Sequence, residues 1–84
     1  MADYGGDIER KKLRFASFAF NYACVEKLMA KQRQGYFGWD NLEAKPNLES
    51  LFKEHTNRPL TQKNLVDIAN FCMFLWNLFE AQKK

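Results

Sequence analysis

From Ile8 to Gln34 the apolar positions recur with the period of an α-helix. Ile8, Phe15, Phe18, Tyr22, Val25 and Met29 fall at spacings of three, four and seven, which places them on one face. Leu13, Ala16, Phe20, Ala23 and Leu28 form a second apolar stripe beside it. An apolar surface this wide predicts a helix covered from more than one side. Asp7 is the expected N-cap, Glu9 adds favourable charge to the first turn, and Gly35 is the expected stop. The basic end of the helix, Lys27, Lys31 and Arg33, suits the negative end of the helix dipole. The first helix is therefore expected over 7–34. Residues 1–6, with Gly5-Gly6 as a breaker, are expected to form a flexible lead.

The densest apolar stretch is Leu65–Phe79, predicted to lie in a last helix over 61–82 that opens on Thr61. Its expected core face is Leu65, Ile68, Ala69, Cys72, Leu75, Trp76 and Phe79. Asp67, Asn70 and Asn77 share another side with Phe74, at spacings of three, four and three. Between the long helices, 35–47 reads as a glycine-bracketed aromatic loop, with Asp40–Glu43 resembling a capping box that opens a single turn. Asn47 is the expected cap of a short helix over 48–56, and Asn57-Arg58-Pro59 is a turn. No alternation of β-branched residues predicts a strand. The expected fold is all-α: one domain over 1–84, with two long antiparallel helices and a short connecting helix.

Composition adds an assembly to that picture. Eight Phe, three Tyr and two Trp in 84 residues are more rings than a compact chain of this size hides. A helical-bundle homo-oligomer is expected, burying some of them between subunits. The formal charge of +3 favours anionic ligands without providing the dense basic face of a nucleic-acid binder, so nucleic acid is not an expected partner. Cys24 and Cys72 lack metal-site spacing, and His55 is the single histidine, so both are expected as reduced core thiols. No leader is visible, and the apolar windows are too short to cross a bilayer. A cytoplasmic protein without a membrane partner is expected.

Candidate chemistry is sparse. Ser17 and Ser50 have no histidine context, and His55 is read as a surface residue at a helix end. The Asp67–Asn70–Asn77 line could hold a metal, a ribose hydroxyl or a base edge, or could simply face water. The Gly35-Tyr36-Phe37-Gly38-Trp39 turn is either an aromatic plug on the helix pair or a lid stacking on a planar ligand.

Taken together, Leu28–Trp39 and Leu65–Phe79 resemble the MazG-like, all-α NTP pyrophosphohydrolases of phages and bacteria. The matching residues are Lys31, Arg33, Gly35, Gly38 and Trp39, then Asp67-Ile68-Ala69-Asn70-Phe71. The resemblance implies a helical oligomer with a nucleotide pocket between helices, and magnesium held by clustered acids in active members. Asp67 matches the last acid of the second acidic segment, but Asn64 stands where its Glu belongs. A non-catalytic binder of a nucleotide or cyclic nucleotide is therefore expected, without a cofactor. Arg14, Lys31 and Arg33 would meet phosphates, Tyr36, Phe37 and Trp39 would stack on a base, and Asp67 and Asn70 would bond ribose or base. A phage protein sequestering a host nucleotide signal in the host cytoplasm fits this expectation. The alternatives are a magnesium-dependent NTP pyrophosphohydrolase, with Asp67 as a metal ligand, and a phage inhibitor docked on a host protein.

Overall fold

The computed structural model describes residues 4–83, all-α among them. Helix α1 spans Tyr4–Arg33, a short 3-10 turn spans Leu42–Ala44, α2 spans Lys45–Thr56 and α3 spans Gln62–Gln82. The helix starts earlier than the glycine pair suggests, with Gly5 and Gly6 inside α1. Glycine in a helix costs only about 1 kcal/mol relative to alanine, which a 30-residue helix absorbs. Asp7 accordingly lies within the first turn, where it pairs with Arg10 at 3.3 Å. The expected flexible lead at Met1–Asp3 falls outside the described residues.

Gly35 ends α1 in the left-handed region, with φ 93°. Two bonds close the turn: Gly35 N–H donates to the Gln32 carbonyl at 3.0 Å, and Tyr36 N–H donates to that of Lys31 at 3.1 Å. This is the Schellman arrangement that a C′ glycine permits. Asn41, rather than Asp40, caps the following turn, its side chain accepting from Glu43 N–H at 2.9 Å. Helix α2 begins at Lys45, ahead of the expected Asn47 cap, because Pro46 fits the first turn, where a missing N–H costs nothing. Thr61 caps α3 as expected, accepting from Asn64 N–H at 3.0 Å.

Pairings along α3 set the topology. Cys24 meets Asn70 and Lys27 meets Asp67, so α1 runs antiparallel to α3. His55 meets Asn64 and Lys45 meets Gln82, so α2 is antiparallel to α3 as well. Both helices therefore lie along α3 in the same direction. The segment 34–44 must travel back along α3 to join them, and Trp39 touches Phe74 on the way. Lys45 pins the far end: its Nζ donates to Gln82 Oε1 at 2.9 Å and sits 3.9 Å above the Phe79 ring.

The covered side of α3 differs from the expected one. Asn64, Asn70 and Leu78 are buried, with Phe71, Phe74 and Leu75 half-buried, whereas Leu65, Cys72, Trp76 and Phe79 are exposed. Apolar residues occupy most of the circumference of α3, so spacing alone cannot choose the arc that is covered. Two carboxamides choose it instead. Each is buried against a backbone carbonyl of a neighbouring helix, of His55 for Asn64 and of Cys24 for Asn70.

The Asn64 side chain joins α2 to α3 by two hydrogen bonds at 2.8 and 2.9 Å. Asn64→Ala strands both partners in a part-buried site and is expected to cost about 1–3 kcal/mol, at roughly 4–8 °C of melting temperature per kcal/mol. Thermal unfolding at matched protein concentration checks this, and an unchanged midpoint would contradict it.

Candidate functional site

The polar line of α3 forms a seam between helices. Asn70 Nδ2 donates to the Cys24 carbonyl at 3.2 Å and Lys27 Nζ lies 3.7 Å from Asp67 Oδ1, whereas Asn77 Nδ2 bonds within α3, donating to the Met73 carbonyl one turn back at 2.9 Å. The rings continue it. Trp39 stacks on Phe74 with centroids 5.0 Å apart, Phe74 meets Phe71 edge-on at 6.4 Å, and Phe71 meets His55 at 5.0 Å. Trp39 lays its ring on Phe74 and stays 36% exposed, an arrangement that fits either role open to the aromatic turn.

His55 is not the surface residue that its position suggests. It is half-buried, and its Nδ1 lies 2.9 Å from Asn64 Oδ1. Asn64 Nδ2 already donates to the His55 carbonyl, so Oδ1 is the acceptor and Nδ1 carries the proton. Thr61-x-x-Asn64 was the available sequence signal, a cap residue followed on the next turn by an amide facing the preceding helix end.

The expected ligand-binding residues do not converge within one chain. Arg14 lies on the uncovered half of α1, about 25 Å along the axis from Lys31 at 1.5 Å per residue. Lys31 Nζ sits 4.9 Å above the Tyr36 ring, with Arg33 exposed nearby and Phe37 91% exposed. Asp67 is met by Lys27, Asn70 is buried against Cys24, and Trp39 is stacked on Phe74. No family model, curated protein or solved structure matches this chain. The likeness to the MazG-like enzymes therefore rests on the sequence motifs alone.

Magnesium does not fit the residues present. It takes near-octahedral oxygen ligation with carboxylates and substrate phosphates. Asp67 has an ammonium beside it, and Glu49 and Glu54 pair with Lys45 and Arg58. No group of three metal-ligating side chains occurs among the described residues.

The largest unsatisfied feature is apolar. Phe15 is 74% exposed, Phe18 and Tyr22 67% each, with Ile8, Val25 and Met29 also exposed. At 100° per residue these point away from Cys24, the buried position facing α3. Ile8, Lys11, Phe15, Phe18, Tyr22, Val25, Met29 and Gln32 follow alternating steps of three and four, the a/d seam of a coiled coil. Beside the seam, α1 and α3 leave an open groove of about 350 Å³ lined by Phe20, Asn21, Leu28, Ala69 and Met73. Leu65, Cys72 and Trp76 expose a further stripe on α3, so Cys72 is not the core thiol expected.

Cys24 is a core thiol, and burial pushes its pKa above the ordinary value of 9.0. The unfolded chain then loses this proton first, so the thiol's contribution to stability holds below 9.0 and is lost as pH rises through the higher folded value. Cys24→Ala removes that titration. The stability gap between wild type and variant in urea is expected to narrow from about pH 8 to about pH 10. A constant gap would contradict it.

Proposed function

We propose that this chain is a non-catalytic helical interaction protein that works with the outer face of α1 covered by protein. The carrying observation is the aromatic seam of α1, exposed along a helix whose opposite face alone meets the body. The accessible surface of 6,917 Å² supports this reading, since a compact monomer of 9.9 kDa presents about 5,200 Å². The excess, about 1,700 Å², is roughly twice what one partner contributes to a standard interface. The radius of gyration, 16.2 Å against about 12 Å for a compact 84-residue domain, points the same way.

A second reading keeps an anionic, nucleotide-type ligand. It is favoured by Arg14, Lys31 and Arg33, which have no carboxylate partner among the described residues, and by the exposed rings of Tyr36 and Phe37. With Arg14 and Lys31 so far apart, such a site within one chain draws on Lys31, Arg33, Tyr36 and Phe37 and leaves Arg14 out. Calorimetry against nucleotides and cyclic nucleotides at about 100 μM tests it, and silence across the panel removes it.

For the interaction module, light scattering and an apolar fluorescent dye are decisive together. The wild type is expected to run above the 9.9 kDa chain mass or, as a monomer, to bind the dye. Phe18→Glu with Tyr22→Glu should abolish either behaviour while α2–α3 helicity persists. A dye-silent monomeric wild type would contradict the proposal.

A further inference from the structure

The α1 seam has a direction written into its charges. Its central stretch, Phe15–Val25, carries no charged residue, while Lys11 stands inside the seam at its N-terminal end and Glu26 lies just beyond the centre. In the heptad register set by Ile8, Phe15, Tyr22 and Met29 as a positions, Lys11, Phe18 and Val25 are d positions. Lys12, Ala19 and Glu26 are then e positions, on the flank away from the groove. Neither Lys12 nor Glu26 has an ion-pair partner among the described residues.

We propose that the occupant of this seam is a second copy of the chain, with the two α1 helices antiparallel about a twofold axis that crosses the seam between Phe18 and Tyr22, level with position 20. The proposal rests on the interaction-module reading and adds its partner and geometry. In this register Phe18 lies opposite Tyr22 of the second copy, Phe15 opposite its Val25 and Lys11 opposite its Met29. Each layer then sets an a residue against a d residue, as antiparallel seams require. Lys11 lays its methylene stem on Met29 and carries its ammonium out to water. Lys12 meets Glu26 of the second copy on the outer flank, twice by symmetry. The opposed dipoles of two 30-residue helices add to the preference.

A parallel in-register pair offers Asp7 to Lys12, but it stacks Lys11 on Lys11 at a d layer. Like charges facing one another inside a seam are the device by which coiled coils reject a pairing. Area supports the same occupant. The three exposed rings of the seam, Phe15, Phe18 and Tyr22, present about 420 Å² per chain on a scale of ~200 Å² per ring. With Ile8, Val25 and Met29 added, this approaches the roughly 800 Å² per partner of a stable interface.

Pulsed dipolar spectroscopy on a Cys72→Ala background tests the geometry, with nitroxides placed singly by Ala19→Cys and Lys12→Cys. The two copies of position 19 are expected to be offset along the axis by about 3 Å and those of position 12 by about 24 Å, giving a short and a long distance. A charge exchange gives a second readout. Lys12→Glu should weaken dimerisation by roughly threefold to tenfold, and adding Glu26→Lys should restore it. Equal short distances at both positions, without restoration by the exchange, would overturn the antiparallel pair and leave the interaction module standing. A monomer without dipolar coupling would overturn the second copy as occupant, and the dye result then decides the module separately.

Discussion

Two buried carboxamides on α3 decide where everything else in this chain goes. Asn70 reaches the carbonyl of Cys24 and Asn64 that of His55, so each ties one neighbouring helix to α3. An amide without a partner is costly to bury, so α3 cannot turn another face inward without stranding one of them. The rings fill in around these ties. Trp39, Phe74, Phe71 and His55 make a continuous run of contacts from the returning loop to the end of α2. Among the described residues no buried side-chain polar atom lacks a partner, so the seam is complete.

That solution satisfies α2 and α3 and leaves α1 half dressed. Only the C-terminal part of α1 meets α3, through Cys24, Lys27 and Leu28, while Ile8 to Tyr22 carries large exposed rings. Isolated helices are marginal in water, and most helical stability comes from packing an apolar face. A chain that spends its aromatic residues on such a face needs something to lie against it. The assembly proposal follows from that imbalance, and the lone Lys11 in the seam supplies the orientation.

The all-α class, the extents of the last helix, its Thr61 cap and the Gly35 stop were legible in the sequence, because each depends on local chemistry. The face of α3 was not. Leu65, Cys72, Trp76 and Phe79 are as apolar as the residues buried in their place, and the difference lies in which carbonyls Asn64 and Asn70 can reach. The ligand residues read from the MazG-like motifs split for a related reason. Asp67, Asn70 and Trp39 went into the seam, whereas Arg14, Lys31, Arg33, Tyr36 and Phe37 stayed outside it. A polar stripe has the same spacing whether it binds a ligand or another helix.

The central claim is that the outer face of α1 is covered in the working protein. Hydrogen exchange resolved along the chain, comparing the wild type with Phe18→Glu, tests this most directly. Slow exchange over residues 8–22 of the wild type, lost in the variant while the α2–α3 seam stays protected, is the predicted result. Fast exchange over 8–22 in the wild type, or the same protection in both proteins, would contradict it.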